Sequence, residues 1–259
     1  MSAMATAPRE RRRAILRSLS PTEVLSVNAL SRLTGVSVIT VRRDLAELAR
    51  DGRVVRVHGG ALRAPRRGSL RPVALRRDED VEAKRVLARA TAAMVEDGES
   101  VIVDSGTTCE LVAEELAGRA IRALCLSLGA ATALASVPGA TVTVAGGLVD
   151  PESLSLFSTE AVDAVRRFRA DVAVLSTCSV SVADGLTVVE SDDAAVKRAI
   201  MTSSARALLP TAPRKISRTH AYWFGELADL DLLLTTNDID PSVLAELREA
   251  GLAVAVHEI

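Results

Sequence analysis

The chain has 259 residues, 48% hydrophobic and only 2% aromatic, with 32 Lys+Arg against 33 Asp+Glu and a formal net charge of −1. A core built almost wholly from Ala, Val, Leu and Ile favours α/β layers over an aromatic-rich β-sandwich, and no apolar run approaches the ~20 residues of a membrane span. Cys109, Cys125 and Cys178 are scattered, without CxxC spacing, which excludes a disulfide framework or zinc site and suits a reducing compartment. The expectation is a cytoplasmic protein with no metal, no cofactor, no membrane contact and no visible signal peptide.

The near-neutral total hides a split. Residues 1–77 hold 17 arginines and no lysine against five acidic residues, a net charge of +12, and residues 78–259 carry −13. Such asymmetry predicts two domains with different partners, the basic one suited to a polyanion. In chain order, residues 9–19 read as a helix with Ile15, Leu16 and Leu19 apolar. A second short helix spans 27–33, with Val27, Leu30 and Leu33 on one side, and Gly35 punctuates the turn after it. Ser37 is a good N-cap for a third helix that runs to about Asp51, where Gly52 stops it. Val38, Val41, Leu45 and Leu48 form its buried stripe.

Opposite that stripe lie Ile39, Thr40 and Arg43, with Arg42 on the flank. A solvated helix would mix Glu and Lys there. A branched apolar residue, a hydroxyl and arginines over the first two turns suit the DNA major groove, where Arg pairs with guanine and Ile packs on a thymine methyl. "RVVRVHGGALR" (53–63) then reads as a strand running into a wing-like hairpin at Gly59-Gly60, with Arg56 and His58 placed to reach the minor groove or phosphates. Helix, helix, turn, helix, wing is the order of a winged helix-turn-helix, here in residues 1–62. The next stretch, 63–77, has two prolines, a glycine and six arginines and reads as a linker.

From Asp78 the pattern changes to apolar strands alternating with helices. Helices are predicted at 82–96, 107–117, 128–136, 158–168, 190–203 and 241–250. Strands are predicted within "SVIVDSG" and at 121–126, 141–145, 171–175, 205–209, 231–234 and 252–257. This argues a mostly parallel sheet covered on both faces, an α/β domain over 78–259. In "VDSGTT" (103–108), Asp104 ends a strand and Ser105, Gly106, Thr107 and Thr108 open a helix, offering hydroxyls and backbone amides to a phosphate. An ordinary capped turn has the same composition.

"RERRRAILRSL" (9–19), "LSRLTGVSVITVRRDLAELARDGRVVRVHGGA" (30–61) and "VIVDSGTTCELVAEEL" (101–116) together resemble the DeoR family of bacterial transcriptional regulators. The resemblance implies an N-terminal winged helix and a C-terminal sensor domain similar to ribose-5-phosphate isomerase. It further implies oligomers, dimers or tetramers, that mostly repress, bind a double-stranded DNA operator and release it on binding a phosphorylated sugar-like metabolite. Effector residues implied by the match are the 104–108 loop, Gly146 and Gly147, Lys197 in "AAVKRAIM" and Lys215 in "RKISR".

The chain departs from the family's pattern at four places. Leu126 stands where an Asn commonly precedes the Ser-Leu pair, and Ser158 where a glycine is usual. "TAPR" replaces an Asp-Ser-Ser run, and "STCSVS" (176–181) replaces a Gly-Ala-Asp-Gly-like loop. That loop lacks the carboxylates proton transfer needs, which speaks against an isomerase and for no catalytic residues. A constitutive DNA binder with a degenerate sensor remains the other reading. The lone aromatic cluster, Tyr222-Trp223-Phe224, suits packing at a sheet edge or an interface.

Overall fold

The computed structural model describes residues 8–20, 23–50, 53–57, 59–63 and 73–259. The chain divides into two compact units, residues 1–71 and 72–259. His58 and residues 64–72 of the expected linker lie outside the described residues.

The first unit contains α1 (Pro8–Ser18), β1 (Leu25–Ser26), α2 (Val27–Thr34), α3 (Val38–Arg50), β2 (Val54–Val57) and β3 (Gly60–Arg63). The sheet order is β1-β3-β2, with β2 antiparallel to β3 and Val54 opposite Arg63. The core is Ile15, Leu16, Leu19, Leu30, Val41, Leu45, Leu48, Val54 and Ala61; it takes Val41, Leu45 and Leu48 of the predicted α3 stripe, whereas Val38, at the helix start, is only partly buried and stands outside it. Leu33 departs from the expectation: it stands 54% exposed, because α2 ends at Thr34 and Gly35, in the left-handed region at φ 69°, turns the chain away. Asp44 sits inside α3's buried stripe and receives both Arg11 Nε (2.5 Å) and Nη2 (3.2 Å). Arg12 pairs with Glu47. Two of the arginines behind the +12 charge therefore tie α1 to α3.

The second unit begins with α4 (Val73–Arg77), a correction to the linker expectation for these residues: Arg77 pairs with Glu110 at 3.2 Å and draws the segment onto the fold. Then follow α5 (Val81–Ala92), β4 (Ser100–Val103), α6 (Thr107–Glu115), β5 (Arg122–Cys125), α7 (Leu128–Ala135), β6 (Thr141–Val144), α8 (Thr159–Arg167) and β7 (Ala170–Val174). The unit continues through β8 (Ser179–Ser181), β9 (Gly185–Val188), α9 (Ser191–Ser203), β10 (Ser204–Pro210), β11 (Tyr222–Gly225), β12 (Leu232–Thr236), α10 (Pro241–Glu249) and β13 (Val254–His257).

Seven strands form one sheet, β13-β12-β10-β7-β4-β5-β6, and every pair is parallel. Its side chains alternate between two cores, as the period of two requires. Ile102, Leu124, Ala173 and Leu209 meet Val165, Ile200 and Leu247 of α8, α9 and α10. Val101, Val103, Cys125 and Val174 meet Leu87, Val112 and Leu134 of α5, α6 and α7. The strand order runs outward from β4 through β5 to β6, then restarts on β4's other side at β7 and runs outward the opposite way. The carboxyl ends of β4 and β7 therefore flank a topological switch point, where open α/β sheets hold ligands.

A second, antiparallel sheet, β8-β9-β11, was not foreseen: "STCSVS" contains β8, and Tyr222-Trp223-Phe224 opens β11. Phe224 is buried, and Tyr222 and Trp223 lie exposed on the sheet's edge strand. Among the described residues no helix is long and apolar enough to cross a membrane.

Candidate functional site

In the first unit Ser37 caps α3, its Oγ accepting the Thr40 amide at 3.2 Å and sharing a hydrogen bond with Thr40 Oγ1 at 2.9 Å. These hydroxyls fix the helix start and its first-turn geometry. Ile39 is 80% exposed, which costs apolar hydration with no return inside the unit. Arg42 and Arg43 are exposed, and Arg43 has one long contact, 3.8 Å to Glu47 Oε1. A shallow cleft brings Arg42 of α3 together with Arg56 and Val57 of β2 and with Gly59 and Gly60. The helix face and the hairpin thus present arginines side by side.

In the second unit Asp104 follows β4 and is fully buried. Its Oδ1 accepts the Ser105 amide at 2.7 Å, and its Oδ2 accepts the Ser176 amide at 2.8 Å. Lys197, on α9, pairs with Asp104, reaches Asp193 at 3.1 Å one turn away, and donates to Ser176 Oγ at 2.9 Å. One lysine thus stitches β4, β7 and α9 across the switch point. Burial alone would lower the Lys197 ammonium, but Asp104 and Asp193 outweigh it and hold its pKa raised. Burial pushes Asp193 up to about 6, against the pull of Lys197. Ser105, Thr107 and Thr108 are buried beside this group, and Gly106 takes φ 104°, a conformation glycine tolerates, at the start of α6.

Lys215, after β10, donates to the Thr177 carbonyl at 2.7 Å. Burial, with Arg214 and Arg76 nearby, lowers its pKa to about 8. Lys84 on α5, absent from the sequence expectations, is buried and is lowered to about 8 by burial and by Arg214 and Lys215. Its signal was there to read: Lys84, Leu87, Ala88 and Thr91 share the helical spacing of one buried stripe. Cys109 and Cys125 are buried, Cys178 partly so, and burial raises all three thiols, Cys125 to about 12.

These shifts set a pH dependence. Between pH 8 and 9 the folded chain releases protons from Lys84 and Lys215 that the unfolded chain keeps up to 10.5, so unfolding free energy rises with pH. Above the thiols' ordinary value of 9.0 the three cysteines act in the opposite direction and end the rise. Urea unfolding in half-unit pH steps should show the rise in the wild type and a smaller one in Lys215→Met; equal slopes would refute the assignment.

Gly146 and Gly147 follow β6 on the same carboxyl edge, with φ of 83° and 88°. Open space surrounds Gly146, but a Cβ on Gly147 would stand 2.0 Å from Ser158 Oγ. The space beside Gly147 is filled by the residue that replaces the family's glycine, and Ser158 has become the N-cap of α8, accepting the Ala161 amide at 3.4 Å. Gly147→Ala should destabilise by about 2–3 kcal/mol, through the left-handed backbone and the clash together. Adding Ser158→Gly should relieve the clash and restore about half of it in urea unfolding, because a glycine cap loses only a few tenths of a kcal/mol.

Comparisons with known proteins match both units of the chain. Residues 11–66 match the DeoR-like helix-turn-helix domain, and residues 79–237 match the DeoR C-terminal sensor domain. The HTH-type transcriptional regulator GolR of Listeria innocua is 28% identical over 97% of this chain and 99% of its own. The glycerol-3-phosphate regulon repressor of Haemophilus influenzae is 29% identical over 92% and 93%. A solved ribose 5-phosphate isomerase A from Methanocaldococcus jannaschii is a distant likeness, TM-score 0.39 at 13% identity over 53% of this chain and 55% of that one. With both domains matched in order over most of its length, the chain belongs to the DeoR family of transcriptional regulators.

Proposed function

We propose that this regulator is a repressor that binds a double-stranded DNA operator as a homo-oligomer and is released by a small phosphorylated metabolite. The observation that carries it is the α3 face: Ile39, Arg42 and Arg43 exposed together, beside Arg56, with Ser37 and Thr40 holding the helix start. Ser37, Ile39, Thr40, Arg42 and Arg43 read the major groove, and Arg56 and His58 serve the wing. Phosphate contacts supply most of the affinity.

In the sensor, Ser105, Gly106, Thr107 and Thr108 offer hydroxyls and amides to the phosphate, and Asp104 and Lys197 position the loop. Lys215 supplies an ammonium with no carboxylate on it among the described residues. Gly146 stays in this reading; Gly147 is left out, its space being taken by Ser158. What supports an oligomer is a set of exposed apolar residues, Val137 before edge strand β6, Val144 on it and Leu148 and Val149 after it, where no basic residue occurs between Arg122 and Arg166.

We read the chain as a non-enzyme of the cytoplasm: residues 176–181 carry hydroxyls and a thiol, and the two carboxylates at the switch point, Asp104 and Asp193, are both held by Lys197. A second reading, a constitutive binder, draws support from the filled space at Gly147. Thermal unfolding of the full chain against sugar phosphates, polyol phosphates and their unphosphorylated forms separates them. A ligand at 100 times its Kd adds about 2.7 kcal/mol. A phosphate-dependent shift supports the sensor; silence across the panel favours the constitutive binder, and turnover of any sugar phosphate overturns the non-enzyme reading.

A further inference from the structure

The chain has three lysines and 29 arginines. All three lysines lie in the second unit, Lys84 and Lys197 buried and Lys215 partly buried. Lys197 is matched by two carboxylates. Lys84 forms no ion pair among the described residues, and its Nζ donates to the backbone carbonyl of Arg76, the fourth residue of α4. The next residue anchors the same helix: Arg77 Nη2 and Nε reach Glu110 Oε2 at 3.2 and 3.4 Å. Glu110 lies on α6, one turn after Thr107, is itself buried, and keeps its other oxygen, Oε1, without a hydrogen-bond partner. A five-residue helix is thereby held across α5 and α6 by one buried ammonium and one ion pair. It is also the first element of the second unit, so the chain leading to the DNA-binding unit starts from it.

We propose that α4 is a strap that couples the sensor to DNA binding: Lys84 holds the Arg76 carbonyl when the sensor is empty and transfers to the phosphate of the effector when it is occupied, which lets the strap go. The proposal rests on the reading that the effector is phosphorylated. The chemistry favours the transfer. Lys84 and Lys215 each hold a neutral carbonyl, whereas Arg214 nearby is already paired with Glu79 and Asp80. The ammonium's bond to a carbonyl is already charge-assisted, and a phosphate dianion adds a full opposite charge to the contact. Once Lys84 has moved, α4 has lost one of its ties, and the Arg77–Glu110 pair, whose guanidinium is half exposed, is easier to break. Docked α4 is the operator-binding state.

The test uses the full chain and has two arms, both read by tryptic cleavage after Arg76 and Arg77 and by affinity for DNA recovered from a random-sequence pool. In the ligand-free arm, Glu110→Gln and Lys84→Met each loosen the strap. Cleavage should rise about tenfold, and DNA affinity should fall about fivefold or more. Unchanged cleavage, or cleavage that rises with DNA affinity intact, overturns the strap. Glu110→Gln guards against misfolding from the loss of a buried cation. In the second arm, millimolar inorganic phosphate or glycerol 3-phosphate should raise cleavage of the wild type and leave Lys84→Met where it already stands. If neither probe alters cleavage or thermal stability of the wild type, the phosphorylated-effector reading fails, while the ligand-free arm still decides the strap.

Discussion

Asp104→Ala should destabilise the second unit by about 3–5 kcal/mol, the cost of breaking a buried pair from one side. The carboxylate is fully buried, with two backbone amides on its oxygens and the Lys197 ammonium against it. Removing it orphans the Ser105 and Ser176 amides and leaves Lys197 with Asp193 as its one carboxylate. Asp193 compensates only in part: loss of Asp104 removes a like charge beside it, but burial still works against its own charge and it cannot reach the two orphaned amides. Asp104→Asn keeps the shape and one acceptor, so it should fall between wild type and alanine. Urea unfolding at pH 7 measures both. An alanine variant within about 1 kcal/mol of wild type would mean that the pair is no more than a surface bridge in strength.

Arg43→Ala should weaken operator binding by about 1–3 kcal/mol and relax the base preference at one position, as expected when a bidentate contact to guanine is lost. Arg43 is the better candidate for base reading because its side chain is 84% exposed and its ion-pair contact among the described residues, with Glu47, is long, at 3.8 Å. Arg56→Ala should behave differently. It should weaken selected and scrambled DNA alike and lower the slope of log K against log salt by about 1, the signature of one phosphate. Titrations on both DNAs at four salt concentrations distinguish the two. Equal losses for Arg43→Ala on both DNAs would remove it from base recognition.

Much of this was legible because it is local. The stripe Val41, Leu45, Leu48 and the apolar strands around Ile102, Leu124 and Val172 announce themselves by spacing, and the packed cores contain them. What escaped depends on partners distant in sequence. Asp44 is 33 residues from Arg11, and Asp104 is 93 from Lys197. Neither pairing leaves a periodic trace, although Asp44 and Lys84 could have been flagged as charges on buried helical stripes. The small antiparallel sheet was missed because β8 has only three residues and sits in a run of hydroxyls that reads as a turn. In that sheet Ser179 Oγ bonds both Thr187 Oγ1 (2.7 Å) and His220 Nδ1 (2.8 Å), so the hydroxyls serve pairing and packing. Helix α4 was hidden by its neighbours: two residues of it are arginines next to a proline-rich stretch, and its docking depends on Glu110, far along the chain.

The distribution of lysines has a consequence for how the protein meets its chemical surroundings. Arginine keeps its charge across the accessible pH range and resists acylation, whereas lysine is the usual target of acyl donors and amine-directed reagents. With Lys84 and Lys197 buried and Lys215 partly covered, the folded surface offers such reagents almost no ε-amine, and its positive field is fixed. ε-Acylation at Lys84 or Lys197 therefore requires the fold to open around them, whereas Lys215 is the amine the folded chain still partly offers.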